Sequence, residues 1–300
     1  MAHVAVIGNR NAGGGRGAAA LPLLLDALRR AGHGITLIDE PTPSAARDAL
    51  AAVTAAESII ACGGDGTVHF TLQAALRAGL PMGIVPAGSG DDAARAIGLP
   101  HGRRRRDLHR AVSHAVANIG RTRTVDVIWA ETADGNREAF LGVLGAGFDS
   151  RVNARANDLT FPPGTAKYVR AMLQELGSFQ PIDYRLEFAD EVVEIPGMLI
   201  AVGNGSTYGG GMKVCPGADV HDGVAEVLIV GSISKPALLR VFPKVFNGRH
   251  IEHPAVRVMT ASEFTLHAPG QIAYADGERI GPAPVRITVA PDAIPIIGAP

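Results

Sequence analysis

"IIACGGDGTVHFTLQAAL", Ile59 to Leu76, is the stretch whose reading decides the fold. An apolar run ends in Gly63-Gly64-Asp65-Gly66-Thr67, and apolar residues then recur at helical spacing. A strand hands over to a helix there, and glycines at the junction let backbone approach a ligand with no Cβ in the way. A helix starting near Thr67 aims its unpaired N–H groups and positive dipole end at that ligand, which is a phosphate site in outline. Asp65 argues against plain anion binding. A carboxylate beside phosphates is repelled unless a cation lies between them, so the stretch predicts a Mg²⁺-nucleotide site. Thr67 fits as helix cap or phosphate donor. Taken alone, the same residues also read as a tight turn with an N-cap.

Outward from that junction, the first hundred residues alternate strand and helix signals. Val4 to Ile7, Ile35 to Ile38, Ser58 to Ala61 and Met82 to Val85 are short strand-like runs. Between them lie helical patterns over Gly17 to Arg30, from about Ser44 and from Thr67. Short apolar strands separated by helices predict parallel β-α-β units with both sheet faces covered. Three strand ends carry unusual loops: "GNRNAGGGRG" at 8–17, "CGGDGT" at 62–67 and "PAGSGDDAAR" at 86–95. Loops after parallel strands share one edge of the sheet, so the three are expected to converge on one ligand. The third repeats the design of the second, with Gly88, Ser89 and Gly90 ahead of Asp91-Asp92 and a helix through Ile97. One acid there suffices for an N-cap, and two exceed what a cap requires.

After a helix around Leu108 to Ala117 the texture changes. Strand-like runs dominate: Val125 to Trp129, Ala139 to Leu144, Tyr184 to Phe188, Val192 to Val202, Val224 to Val230, Val256 to Met259, Glu263 to Leu266 and Val285 to Val289. Two helical patterns interrupt them, near Thr165 to Leu176 and Lys235 to Phe246. The expected organisation is an α/β nucleotide-binding domain with a parallel sheet over 1–122, then a mostly antiparallel, β-rich domain over 123–279.

Bulk composition restricts the functions. With 28 basic against 29 acidic residues the net charge is −1, so no overall field draws nucleic acid or an anionic membrane, and any membrane contact must be local. Cys62 and Cys215 lie far apart and outside any C-x-x-C pattern, which predicts neither a disulfide framework nor a zinc site. The opening "MAHVAVIGN" has a strand pattern, and no uncharged apolar run reaches membrane-spanning length. These features predict a cytoplasmic protein, at most peripheral to the inner face of the plasma membrane. The oligomeric state stays open, a homodimer included.

Four segments, in order, resemble the diacylglycerol kinase catalytic family, the lipid kinases that include sphingosine and ceramide kinases and many bacterial homologues. They are "GGDGT" at 63–67, "VPAGSGDDAARAIGLP" at 85–100, "GAGFDSRV" at 145–152 and "YGGGMKVCPGADVHDG" at 208–223. A "DGE" at 276–278 also sits where the family has one. The resemblance implies a fold of the NAD kinase and lipid kinase type, ATP and Mg²⁺ as cofactors in a cleft between two domains, and a last strand, about 280–300, that returns to the first domain. It implies a lipid hydroxyl as acceptor, met at a membrane surface. By motif, Gly63, Gly64, Gly66, Thr67, Gly88, Ser89 and Asn9 would contact ATP. Asp65, Asp92 and Asp126 would form a water-linked Mg²⁺ network. Asp276 would be the general base, with Glu278 its neighbour. Asp219, Asp222 and the carbonyl of Val224 would hold a structural Mg²⁺. Read plainly, "YADGERI" is also a hairpin turn and "PGADVHDG" an Asp-rich turn.

The chain departs from the family pattern at Asn9-Arg10, where Asn-Pro is usual, at Ser89 and Asp91 for Thr and Asn, and at Ala93. Arg16 stands where either a phosphate-facing cation or a solvated helix-start residue fits, and the negative charge of Asp91 needs Mg²⁺ or Arg95 to offset it. The run Arg103 to Arg106 reads as a solvated face or a headgroup contact. Phe140 to Phe148 and Leu159 to Leu176 read as core or as the lining of an acyl-chain cleft. Two further functions compete with the lipid kinase: an NAD kinase-like enzyme, which shares the GGDGT-type loop, and a catalytically weak nucleotide-binding sensor, which the departures motivate.

Overall fold

The computed structural model describes residues 1–39, 55–159, 165–176 and 180–300. The helix expected from about Ser44 lies outside the described residues. The chain divides into two compact units, Met1–Asp126 with Asp292–Pro300, and Val127–Pro291.

In the first unit β1 (His3–Gly8), β2 (Gly34–Ile38), β3 (Ser58–Gly63) and β4 (Met82–Pro86) pair in parallel in the order β2-β1-β3-β4. The register sets Ile60 opposite both Val6 and Gly83. The final strand β15 (Val285–Ile297) re-enters this unit at Asp292 and places Ile296 opposite Met82, again in parallel. β1, β3 and β4 are almost wholly buried, which explains their apolar runs without alternation. Helix α1 (Arg16–Arg30) buries Leu21, Leu24 and Leu28 at helical spacing. They pack with Val6, Ile60, Val85 and with Leu108 and Val112 of α4 (Arg105–Ala117). Helix α2 (Asp65–Ala78) begins at the glycine junction, and the short α3 (Asp92–Ala96) follows β4.

The second unit is antiparallel. Its strands run β14 (Glu278–Pro282), β13 (Ile272–Ala275), β7 (Val143–Gly147), β9 (Val192–Gly203), β8 (Ile182–Glu187), β12 (Glu263–His267), then the first part of β15. β10 (Ala225–Gly231) pairs with β9 and with β11 (Val256–Ala261), while β5 (Thr122–Thr132) pairs with β6 (Arg137–Phe140). Phe140, Leu144, Tyr184, Leu186, Ile200, Val227 and Phe264 share one core.

Three elements differ from the sequence-based expectation. The run Ala139 to Leu144 is two strands, broken at Leu141-Gly142, where an aspartate from another hairpin takes the backbone N–H groups. "GAGFDSRV" opens a helix, α5 (Phe148–Asp158), followed by α6 (Thr165–Leu176). The pattern over Lys235 to Phe246 is α7 (Lys235–Val241) continued by two 3₁₀ turns, Phe242–Asn247 and Arg249–Glu252, because Pro243 lacks the N–H that would extend the α-helix. Cys62 and Cys215 are buried thiols, and burial pushes Cys62 up to about 12, which leaves it an inert apolar side chain. Among the described residues no helix is long and apolar enough to cross a membrane.

Tyr184 anchors the second core through its hydroxyl, which donates to the carbonyls of Ala146 at 3.0 Å and Met198 at 3.3 Å. Tyr184→Phe leaves both carbonyls short of a donor, and urea unfolding is expected to show a loss of about 1–2 kcal/mol.

Candidate active site

The three glycine loops of the first unit meet. The N–H of Asn9 donates to the carbonyl of Cys62 at 3.0 Å, and that of Ala87 to Gly63 at 2.7 Å. Gly64 and Gly88 approach so closely that a Cβ on Gly88 would lie 2.7 Å from the Cα of Gly64, a separation only glycine permits. Thr67 is buried over Gly63 in the first turn of α2, and Asp65 is that turn's acid. Asp65 Oδ1 accepts the N–H groups of Asp92 at 2.9 Å and Ala93 at 3.3 Å, so it fixes the start of α3. Ser89 is exposed and gives its carbonyl to Arg103 at 2.9 Å. Arg103 to Arg106 are all exposed, and Asp107 caps the N–H of Arg104.

Arg16 belongs to the architecture of this loop cluster. Its guanidinium donates to the carbonyls of Gly88 and Gly102 and pairs with Asp91 Oδ2 at 3.2 Å. Asp91 is buried in a left-handed backbone (φ 56°), which aspartate tolerates better than most residues, and accepts the N–H of Gly88 at 2.9 Å. Burial raises its carboxyl above the ordinary range, and Arg16 opposes that rise. Arg16, rather than Arg95, therefore offsets the charge of Asp91. Arg95 leans instead toward Asp92, at 3.7 Å. Asp126 is buried and accepts the N–H of Asp292 at 2.8 Å. Among the described residues no three His, Cys, Asp or Glu side chains gather closely enough to hold a metal ion by themselves, so Asp65, Asp92 and Asp126 do not form a direct three-acid centre.

In the second unit Asp276 occupies the turn of the β13–β14 hairpin with positive φ, followed by Gly277. The plain reading of this stretch as a hairpin turn is what the structure has. The carboxylate reaches across to the strand break, where Leu141 N–H donates at 3.1 Å and Gly142 N–H at 2.9 Å. A Cβ on Gly142 would stand 2.5 Å from Asp276 Oδ1, so only glycine admits the carboxylate. Glu278, two residues on, is exposed. Asp219 and Asp222 are exposed too, and each closes a local turn by accepting the N–H two residues later, that of His221 and that of Val224, both at 3.1 Å.

Residues 3–130 match the family model of the diacylglycerol kinase catalytic domain, and residues 142–298 that of the YegS C-terminal NAD kinase beta sandwich-like domain. A diacylglycerol kinase of Mycobacterium tuberculosis is 36% identical over 255 residues, 84% of this chain and 81% of that protein. The chain belongs to the diacylglycerol kinase catalytic family. Lipid kinase YegS of Escherichia coli K12 is 28% identical over 247 residues, 79% of this chain and 76% of its own. A crystal structure from Bacillus anthracis str. Sterne shares the fold with TM-score 0.76 at 21% identity, over 98% of this chain and 94% of that one. A second, of a diacylglycerol kinase from the same organism, has TM-score 0.69 at 18% identity, over 98% and 96%.

Against the family motifs, pattern reading missed two buried acids. Asp149, within "GAGFDSRV", is 5% exposed; one oxygen accepts the N–H of Ser150 at 2.8 Å and the other has no hydrogen-bond partner among the described residues. Burial pushes this carboxyl up to about 7. Glu226 on β10 is also buried, and burial raises it above the ordinary range. An acid inside a strand-to-helix motif was the one available signal for Asp149, and nothing local marked Glu226.

Arg16→Ala would leave Asp91 buried without its cation and is expected to cost about 3 kcal/mol in denaturant unfolding, part of which Asp91→Asn should restore in the double variant. For Asp149 the folded carboxyl holds its proton more tightly than the unfolded one. Its contribution is therefore complete below about pH 4 and is lost as pH rises toward 7. Asp149→Asn should gain on wild type by roughly 2–4 kcal/mol between pH 4 and pH 8, measured by urea unfolding at each pH.

Proposed function

We propose that the protein is a lipid kinase that transfers the γ-phosphate of ATP, with Mg²⁺, to a hydroxyl of diacylglycerol or a similar lipid. The observation that carries this reading is the meeting of two glycine loops in front of α2, so close that a Cβ on Gly88 would lie 2.7 Å from the Cα of Gly64. It suits phosphate because backbone N–H groups and the helix N-terminus supply positive potential without bulk. Gly63, Gly66, Thr67, Ser89 and Asn9 complete the surface offered to the nucleotide.

The donor set also fits Mg²⁺, which is usually bound by one or two carboxylates plus substrate phosphates rather than by an all-protein cage. Asp65 and Asp92 would supply those carboxylates, and Asp126 would support them through water. When bound, the ion would neutralise charge developing on the transferring phosphoryl group. The exposed turn with Asp219, Asp222 and the Val224 carbonyl offers a second, structural cation position.

Asp276 acts as general base. The N–H groups of Leu141 and Gly142 hold its carboxylate in one orientation, so it meets the acceptor hydroxyl without a reorganisation cost. It takes the hydroxyl proton as that oxygen bonds the γ-phosphorus and the bond to ADP breaks. Glu278 is its neighbour in the same hairpin. The second unit holds an apolar cavity of about 90 Å³ whose lining includes Phe148, Val152, Met172, Leu199 and Met212, a surface suited to an acyl chain.

The test is ³²P transfer from Mg-ATP to mixed micelles of diacylglycerol, ceramide, sphingosine or monoacylglycerol, with NAD offered in parallel. Asp65→Ala and Asp276→Ala should each lower transfer by about 10²–10⁴-fold. Labelling of NAD alone would assign an NAD kinase-like enzyme. ATP binding with no transfer to any acceptor would assign a nucleotide sensor.

A further inference from the structure

Three large apolar side chains stand in solvent within thirteen residues of sequence: Leu239 is 42%, Phe246 43% and Ile251 41% exposed. The same stretch, α7 and the two 3₁₀ turns, turns Leu238, Val241, Val245 and His250 inward to line the cavity of this unit. A segment that only covered a core would send polar residues outward. This one is apolar on both sides. Phe246 stands edge-on to Phe242 with ring centroids 6.0 Å apart, and Phe242 also lines the cavity, so apolar contact runs from the surface to the cavity wall.

Cations surround the exposed side chains. The stretch 235–252 carries Lys235, Arg240, Lys244 and Arg249 against one acid, Glu252, which pairs with Arg249 at 2.9 Å. Arg240 and Lys244 are exposed and form no ion pair among the described residues. In a chain of net charge −1 this is a local basic excess. Apolar side chains flanked by Lys and Arg match an anionic lipid surface, where the former sink to the acyl boundary and the latter reach headgroup phosphates.

We infer that residues 235–252 form an insertion face that docks the β-rich unit on an anionic phospholipid bilayer, with the cavity directly behind it. The inference deepens the lipid kinase reading and rests on it for its biological purpose, since a lipid would reach the cavity from the bilayer without crossing water.

Sedimentation of the full chain with phosphatidylcholine vesicles, with and without phosphatidylglycerol, tests the face at low salt and without ATP. Wild type should pellet with the anionic vesicles. Leu239→Ser/Phe246→Ser and Arg240→Glu/Lys244→Glu should each bind at least about tenfold more weakly. Their melting temperatures and their transfer to short-chain diacylglycerol in detergent should match wild type. Wild type that does not pellet, or variants that pellet equally, would overturn the inference. So would a concentration-dependent dimer dissociated by Phe246→Ser, which assigns the face to a second copy. Vesicle binding that follows the expected pattern without transfer to any lipid would end the lipid kinase reading and leave the docking face standing.

Discussion

At Gly64 and Gly88 two backbones come within the space that one side-chain carbon would take. The arrangement of the first unit's loop cluster follows from that approach. It brings the loop after β4 against the loop after β3, where Ala87 bonds to Gly63. Asp65 can then reach the first N–H groups of α3, and Gly88 can donate to Asp91. The left-handed turn at Asp91 places its carboxylate against Arg16 from the first loop, and the three loops become one surface.

The second unit uses the same device with different elements. Asp276, in a hairpin turn, is held by two successive N–H groups at a gap between strands, as Asp65 is held by two at the start of a helix. Backbone N–H groups orient each carboxylate through donors that the main chain itself holds in place. Both acids are thereby aimed in advance, which suits a reaction in which positioning contributes more than base strength. Burial drives other acids, Asp91, Asp149 and Glu226, upward in pKa.

The cavity side of the second unit obeys a different constraint. The 3₁₀ turns after α7 shift side chains off the α-helical face, so Phe246 and Ile251 point outward while Val245 and His250 point inward. Pro243 is the local cause, and a surface with apolar residues on both sides is the consequence.

The sequence by itself determined the parallel α/β unit, the antiparallel unit after it and the glycine loops at the strand ends. Those features rest on local periodicity and on residues that few backbones other than a turn can use, and both are readable within a window of some ten residues. It also determined that Asp65, Asp92 and Asp276 merit attention, through motifs whose glycines lie beside them. Only the tertiary structure decided that Arg16 serves Asp91, 75 residues away, and that Asp276 is held by Leu141 and Gly142, 135 and 134 residues away. It alone broke the run Ala139 to Leu144 in two at that contact and buried Asp149. Partners so distant along the chain leave no trace in spacing, because what joins them is the approach of whole strands and loops rather than any local preference.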